Sequence, residues 1–183
     1  MMRKDKKRFK VAMIGHKRVP SREGGIEVVV EELSVRMVER GLKVDVYNRK
    51  DRFGKAYKQP REYKGIRIIQ IPTFKVSALN AFVYSVLASF RALFGGYDCI
   101  HYHAEGPCAM MWLPKLFGIH TVATIHGLDW QRAKWGGFST KYLKLGEKCA
   151  SKYADELIVL SNNNQKYFKE TYGRDTPVSY THL

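Results

Sequence analysis

The sequence predicts an α/β protein in which helices cover both faces of a parallel sheet. Six short apolar runs, mostly β-branched, alternate with segments whose apolar residues recur at helical spacing. Near-continuous apolar strands with helices between them indicate a sheet that is buried on both faces. A chain of 183 residues, 45% of them hydrophobic, is long enough to bury one such core.

Six strands are predicted, each of them a short run rich in apolar residues. They cover residues 10–15, 43–49, 66–72, 98–103, 120–126 and 156–160. With the intervening helices, the predicted order is β-α-β-β-α-β-α-β-α-β-α. The polar stretch 50–64, which carries Gly54 and Pro60, is predicted to be a flexible loop.

Five helices are predicted between and after these strands. Apolar residues recur at helical spacing over residues 26–37, and Gly41 ends that helix. The other helices are expected at residues 77–94, 107–117, 139–154 and 161–172. Pro114 is expected to kink the second of these four. Ser161 is expected to cap the last helix, and Gly173 follows its end.

The chain is strongly basic, with a net charge of +15 at pH 7. Six of the first ten residues are Lys or Arg, so residues 1–9 are predicted to form a basic tail. Such a tail is either solvated or attracted to membrane lipid, nucleic acid or a phosphorylated substrate. The three cysteines show no paired spacing, which argues against a disulfide framework and favours a reducing cytoplasm.

Residues 76–96 form the longest apolar stretch of the chain. Asn80 and Arg91 interrupt this stretch. The uninterrupted part is therefore shorter than the ~20 residues that a membrane-spanning helix needs. We expect a buried or partly interfacial helix here, and a spanning helix is the weaker alternative.

The last residues do not fit the predicted architecture. A doubly wound sheet is not expected to end on a helix and a stray strand fragment, yet the chain reads PVSYTHL after residue 176 and stops. The segment VSYTHL resembles a translated sequencing-adapter sequence. Residues 10–176 are therefore predicted to form one domain, residues 177–183 to be a non-native tail, and the natural chain to continue beyond them.

Polar residues gather after the strands, at one predicted edge of the sheet. In open α/β sheets, ligands bind beyond the carboxyl ends of the strands. The segments that follow the first, fourth, fifth and last strands begin at or next to His16, His103, His126 and Ser161. The opposite edge offers far fewer chemically useful side chains. The sequence therefore predicts a site at the carboxyl edge.

Gly24 and Gly25 fall at the start of the first predicted helix. The free N–H groups and the dipole of a helix N-terminus attract a phosphate, and glycine lets the backbone approach it closely. A glycine turn that merely joins strand to helix is an equally good interpretation. The spacing from Gly15 does not match G-x-G-x-x-G, and no Walker loop is present, which counts against a nicotinamide dinucleotide site.

Histidines cluster near the ends of two predicted strands. His126 is a candidate hydrogen-bond donor or acid/base group, and a structural histidine bonded to backbone is the alternative. His101 and His103 are two residues apart and so lie on one face of a strand. Together with His126 and Cys108 they outline a conceivable metal site. Their spacing matches no standard zinc pattern, so no metal is predicted.

A basic, aromatic loop follows the fifth predicted strand. It contains Trp130, Arg132, Lys134 and Trp135. Loops of this composition stack on sugars or bases, or bind phosphate. A packed loop with solvated charges is the alternative, and the position beside the predicted cleft favours function.

Four segments in chain order resemble the N-terminal half of a family 4 (group 1) glycosyltransferase with the two-Rossmann-domain GT-B fold. They are GGIE, YDCIHYHAEGP, TIHGLDWQRAKWG and GEKCASKYADELIVLSNNNQKYF, at residues 24–27, 97–107, 124–136 and 146–168. HGLDWQRAKW together with PSREGGIE is similar to the rhamnosyltransferase-like branch that acts in bacterial surface polysaccharide assembly. The ordered set is fairly specific, whereas each segment alone is weak.

The resemblance implies a Rossmann-like, acceptor-side domain of an enzyme that transfers a sugar, with retention, from a nucleotide-diphosphate donor to a glycan or lipid-diphosphate-linked acceptor. No metal or other cofactor is expected. Gly24 and Gly25 are expected to approach the donor and His126 the reacting sugar. Expected acceptor-side residues are His16, His103, Glu105, Asp129, Trp130, Arg132 and Lys134. The donor-binding Arg/Lys pair and the E-x7-E element belong to the C-terminal domain, so this chain alone is expected to be inactive.

The expected location is cytoplasmic, peripheral at the inner face of the plasma membrane, because a cationic domain is attracted to anionic lipid. Two other functions compete. A stand-alone basic Rossmann-like module would bind anionic lipid or another polyanion in a salt-sensitive way. No nucleic-acid motif is present, so nucleic acid is not an expected partner. A dinucleotide-dependent oxidoreductase is disfavoured by the missing G-x-G-x-x-G.

Overall fold

A single mixed sheet forms the centre of the described chain. The computed structural model describes residues 8–50, 59–73, 77–131 and 137–179. Its strands are β1 (Lys10–Ile14), β2 (Lys43–Lys50), β3 (Glu62–Tyr63), β4 (Ile66–Pro72), β5 (Cys99–His103), β6 (His120–Ile125) and β7 (Glu156–Val159). They lie in the order β3-β4-β2-β1-β5-β6-β7. Neighbouring strands are parallel, except that β3 runs antiparallel to β4.

Helices connect the strands and cover the sheet. They are α1 (Gly25–Glu39), α2 (Ser77–Leu93), α3 (Glu105–Cys108), α4 (Trp112–Leu116), α5 (Gly137–Tyr153) and α6 (Asn162–Tyr172). A short 3-10 turn, Asp129–Gln131, follows β6. Ser161 caps α6 by accepting the Asn164 N–H at 3.2 Å, and Gly173 ends that helix with φ of 64°. Both predicted caps are confirmed.

The sheet is buried on both faces, as the apolar strands predict. Ala12 and Ile14 of β1 belong to one core, which α2, α3, α5 and α6 cover. Val11 and Met13 of the same strand belong to the opposite core, where Val30 of α1 packs. This alternation follows from the two-residue period of a strand. The predicted α/β fold with helices on both faces is confirmed.

The predicted loop over residues 50–64 is partly wrong. Glu62 and Tyr63 form β3, which pairs with β4 through a tight turn at Lys64 and Gly65, both with positive φ. The Tyr63 hydroxyl donates to Glu31 Oε1 at 3.0 Å, which ties this hairpin to α1. A two-residue strand carries no periodic signal, so the sequence pattern did not predict it. Residues 51–58 lie outside the described residues.

The helix predicted over residues 107–117 is two helices instead. α3 begins at Glu105, and turns at residues 109–111 separate it from α4. The prediction of a kink at Pro114 is wrong. Pro114 is the third residue of α4 and lies in its first turn, where a helix needs no donating N–H. Proline therefore fits there without bending the helix.

The predicted apolar helix is α2. Tyr84, Ala88 and Ala92 face the core, whereas Phe90 and Phe94 are exposed. No helix in the described part of the chain is long and apolar enough to cross a bilayer.

Residues 177–179 lie beside the edge strand β7. Val159 N–H donates to the Pro177 carbonyl at 3.1 Å, and Ser179 N–H donates to the Val159 carbonyl at 2.8 Å. Val178 thereby forms a parallel bridge with Val159. The non-native origin of residues 177–183 stays a prediction, and residues 180–183 lie outside the described chain.

A close contact between α3 and α5 gives a first test of the fold. A Cβ added at Gly146, inside α5, would lie 1.8 Å from the Glu105 carbonyl oxygen. Gly146→Ala improves helix propensity, yet we expect the clash to destabilise the chain by about 1–3 kcal/mol. The control Gly137→Ala, in the first turn of the same helix, meets nothing within 4 Å and is expected to be neutral or stabilising. Urea denaturation measures both; a stabilising Gly146→Ala would contradict the packing.

Candidate active-site cleft

A cleft of about 580 Å³ opens at the carboxyl edge of the sheet. The segments that follow β1, β5 and β6, the end of β2 and the start of α1 all reach it. Its lining includes Lys17, Gly24, Gly25, Arg49, His126 and Asp129. The cleft therefore lies where parallel α/β sheets bind their ligands, as predicted.

The loops after β1 and β5 approach each other closely at Gly15. Its φ is +126°, and an added Cβ would lie 2.0 Å from the His103 carbonyl oxygen. The Gly15 N–H donates to the Tyr84 hydroxyl at 3.1 Å. Only glycine combines this backbone conformation with this contact. Gly15 therefore lets β1 and β5 end side by side at the cleft.

The N-terminus of α1 opens into the cleft. Its N-cap residue, Gly24, has no side chain that could cap the amides of the first turn. The carboxyl of Glu27, in that turn, lies against Gly24, with Oε2 2.2 Å from the position of an added Cβ. A Cβ at Gly25 would meet nothing within 4 Å, so the helix faces open space there. Both predicted glycines therefore line the cleft.

Arg49, the penultimate residue of β2, also lines the cleft. Its guanidinium lies 4.8 Å from the centre of the Tyr84 ring, and its buried Nε has no hydrogen-bond partner among the described residues. Burial lowers the pKa of this group. The sequence prediction missed Arg49 because it examined only the segments after the first, fourth, fifth and last strands. A basic residue ending a buried apolar run is the signal that could have found it.

Three histidines stack from the sheet interior to the cleft. The rings of His101 and His103 are 4.2 Å apart, and His103 Nδ1 lies 3.2 Å from His126 Nε2. His101 Nε2 is 2.8 Å from Thr124 Oγ1. Burial lowers the pKa of His101 to about 3 and that of His126 to about 4, and it holds the pKa of His103 well below its ordinary value. All three are therefore neutral at pH 7, and His126 is the one that lines the cleft.

His16 lies behind the cleft wall. It is 1% exposed, and its Nε2 is 2.9 Å from Asn48 Oδ1. Asn48 also bonds both backbone groups of Val19. Burial lowers the pKa of His16 to about 4. His16 thus fastens the loop after β1 to β2, and its acceptor-side role stays a prediction.

The other predicted acceptor-side residues divide into three groups. Asp129 lines the cleft. His103 and Glu105 are fully buried behind the cleft, and their acceptor-side roles stay predictions. The indole of Trp130 is partly buried, and its Nε1–H donates to Glu147 Oε2 at 2.8 Å. Arg132 and Lys134 lie outside the described residues.

Glu147, in the middle of α5, is a buried residue that the site prediction missed. It is fully buried and accepts hydrogen bonds from Trp130, Tyr167 and Tyr172. A glutamate between lysines in a helical pattern is typical of a solvated residue, so the helical pattern did not indicate its burial. It joins α5 and α6 to the turn that borders the cleft.

The histidine and cysteine cluster weighed as a metal site is bonded within the protein. Cys108 Sγ donates to the Ala104 carbonyl oxygen at 3.1 Å, and His101 faces Thr124. Among the described residues, no three His, Cys, Asp or Glu side chains are arranged to hold a metal ion.

Comparison with known families decides the classification. The profile of Glycosyltransferase Family 4 matches residues 23–182. The chain belongs to this family. Its sheet and helices match the N-terminal domain of GT-B glycosyltransferases. The predicted family and fold are confirmed, whereas the rhamnosyltransferase-like branch stays a prediction.

Three relatives define the similarity. A D-inositol 3-phosphate glycosyltransferase from Thermobifida fusca is 27% identical in an alignment of 170 residues, gaps included, that covers 82% of this chain and 38% of that protein. Sucrose-phosphate synthase from Thermosynechococcus elongatus has a TM-score of 0.68 at 19% identity, over 94% of this chain and 47% of its own. Anabaena HepE, in complex with UDP and glucose, has a TM-score of 0.64 at 15% identity, over 95% and 44%. The chain thus spans less than half the length of these relatives.

The buried histidines predict acid lability. The pKa of His101 is about 3 when folded and 6.5 ordinarily, so between these values only the unfolded chain binds the proton. Stability therefore falls as the pH drops below 6.5. Between pH 7 and pH 5, we expect the free energy of unfolding to fall by about 1–2 kcal/mol less in His101→Gln than in the wild type.

Urea denaturation at the two pH values measures this difference. The control is His120→Gln, which replaces an exposed histidine at the amino end of the neighbouring strand β6. Because His120 Nδ1 lies only 3.5 Å from Asp155 Oδ2, we expect this change to alter the pH dependence less than His101→Gln does and not to reduce the loss of stability at pH 5. An unchanged pH dependence in His101→Gln would contradict the buried, neutral state of that histidine.

Proposed function

We propose that the chain is the acceptor-side part of a glycosyltransferase that moves a sugar from a nucleotide-diphosphate donor to an acceptor hydroxyl, with retention of configuration. One observation carries the proposal: the uncapped start of α1, Arg49 and the neutral His126 all line one cleft. Family membership and the UDP and glucose named for HepE support a nucleotide sugar as donor. The remaining part of the donor site is proposed to lie outside this chain.

The positive groups of the cleft match the charge that develops on the leaving group. A departing nucleoside diphosphate carries negative charge on its phosphates. First-turn amides at a helix N-terminus bind such groups, and donors already in place require no rearrangement during the reaction. Gly25 leaves room for a phosphate, and the Arg49 guanidinium adds a full charge beside it. We assign these two residues to the donor diphosphate.

His126 is assigned to the reacting sugar. It follows β6 directly, and its ring is held by His103 at 3.2 Å. Because its pKa is lowered to about 4, the ring is neutral at pH 7 and can donate or accept a hydrogen bond at a sugar hydroxyl. Asp129 lies in the same cleft and is assigned to the acceptor.

The finer details of the substrates rest on the sequence resemblance. A rhamnose donor, a glycan or lipid-diphosphate acceptor, a metal-free reaction and a role in surface polysaccharide assembly stay predictions. Attachment to an anionic membrane is supported by the exposed Phe90 and Phe94 of the α2 segment, by Arg91 between them and by the net charge of +15. Co-sedimentation with anionic against neutral vesicles tests this attachment, and equal binding to both would contradict it.

The two ends of β6 offer a matched test of the proposed reaction. In the full-length protein that carries this chain, we expect His126→Ala to lower kcat roughly 100-fold or more, with stability changed by about 1 kcal/mol or less. His120→Ala, at the amino end of the same strand, should keep wild-type turnover. A panel of nucleotide sugars in a transfer assay, with urea denaturation alongside, measures both.

Two results would contradict the assignment. If His126→Ala loses as much free energy of unfolding as it loses in activation free energy for turnover, this histidine has a structural role. Absence of turnover with every nucleotide sugar, combined with salt-sensitive binding to anionic lipid, would favour the binding-module alternative.

A further inference from the structure

We propose that Glu105 and Glu147 share one proton, and that this pair positions the Asp129–Gln131 turn at the rim of the cleft. The two glutamates belong to α3 and α5, whose backbones touch where Gly146 meets the Glu105 carbonyl. The effect on acceptor binding rests on the function proposed above. The shared proton and its effect on the Asp129–Gln131 turn do not depend on that function.

Glu147 carries the features of an ionised carboxylate. It is fully buried, and three donors from two other parts of the chain point at it. Trp130 Nε1–H donates to Oε2 at 2.8 Å, whereas the hydroxyls of Tyr167 and Tyr172 donate to Oε1 at 2.8 and 2.6 Å. Hydrogen bonds of this number stabilise a charged carboxylate away from water.

Glu105 carries the features of a protonated carboxyl. It is also fully buried, but its only donor among the described residues is the Asp129 N–H, which lies 3.0 Å from Oε2. Among the described residues, no group donates to its Oε1, and hydrogen bonding with the Glu147 side chain is one cause of its raised pKa. A proton on Glu105 supplies the missing hydrogen bond between the two side chains.

Among the described residues, no cation is one of the groups that act on the pKa of Glu105. Titratable groups facing the pair are Asp129, Cys108, Tyr167 and Tyr172. The ammonium of Lys144 contacts the Trp130 ring instead, with its Nζ 4.4 Å from the ring centre. Burial first, and then the charges of Asp129 and Glu147, raise the pKa of Glu105 to about 9.

Two hydrogen bonds connect the glutamate pair to the Asp129–Gln131 turn beside the cleft. Glu105 holds the Asp129 backbone, and Glu147 holds the Trp130 side chain. Asp129 lines the cleft beside His126. Loss of the proton would place two negative charges side by side under this turn and push it outward. Glu105 and Glu147 are therefore positioning residues that act on an acceptor through Asp129.

Infrared difference spectroscopy detects the proton directly. We expect a protonated-carboxyl stretch at pH 7 that disappears as the pH rises past about 9. It should be absent from Glu105→Gln and retained in Glu170→Gln, which changes an exposed glutamate of α6. Absence of the band from the wild type at pH 7, or its persistence in Glu105→Gln, would overturn the proposal, and the wild-type titration remains decisive if the variant fails to fold.

Stability gives a second readout that is independent of catalysis. The pKa of Glu105 is 4.5 in the unfolded chain and about 9 in the folded chain. Between these pH values only the folded chain keeps the proton, so the free energy of unfolding falls as the pH rises. Glu105→Gln keeps both hydrogen bonds without titrating. Its stability relative to the wild type should increase steadily from pH 5 to pH 9. Parallel pH dependences in the two proteins would overturn the proposal.

Turnover in the full-length protein tests the link to the acceptor. We expect Glu105→Gln to keep the KM for acceptor at pH 7 and to lose the wild-type rise in KM above pH 9. Glu105→Ala should raise this KM several-fold at pH 7 with a smaller effect on kcat. Equal KM values in both variants would overturn the positioning role. If every protein is inactive but the infrared band is present, the proposed function is contradicted and the shared proton is still supported.

Discussion

The close approach of Gly15 to the His103 carbonyl is the constraint on which the cleft depends. Parallel strands β1 and β5 end at the same level only if the chain leaving β1 can turn directly against β5, and a side chain at Gly15 forbids this turn. Backbone bonds then extend the alignment sideways. Arg49 N–H donates to the Lys17 carbonyl at 2.7 Å, and Ala104 N–H donates to the Thr124 carbonyl at 3.0 Å. These contacts bring the ends of four strands to one cleft.

Burial gives the cleft its electrostatic character. The histidines behind and beside it are neutral at pH 7, and a proton on Glu105 would remove one of the acidic charges under its rim. The start of α1, Lys17 and the Arg49 guanidinium are then the positive features of the cleft, which Glu27 and Asp129 also line. The proposed preference for a diphosphate would depend on the neutral state of the buried groups as well as on the charge of the groups that line the cleft.

The sequence predicts those parts of the molecule that local patterns determine. Six strands and the helices at α1, α2, α5 and α6 follow from apolar periodicity and capping residues. The two-residue strand β3 is too short to show a period. Arg49 is the last residue of a predicted strand, and the strand pattern does not indicate that its side chain reaches the cleft. The role of Glu147 depends on Trp130, Tyr167 and Tyr172, which come from three separate segments and meet only in the folded chain.

The measurement that tests the central claim most directly is the affinity of the full-length protein for a nucleoside diphosphate and for the matching nucleoside, in the wild type and in Gly25→Ala. Apart from the adjoining chain, a methyl group at Gly25 meets no described atom within 4 Å, so we expect folding to be unaffected while the methyl group obstructs a phosphate. We predict roughly five- to tenfold weaker binding of the diphosphate with unchanged binding of the nucleoside. Unchanged affinity for the diphosphate would contradict the assignment of this cleft to the donor.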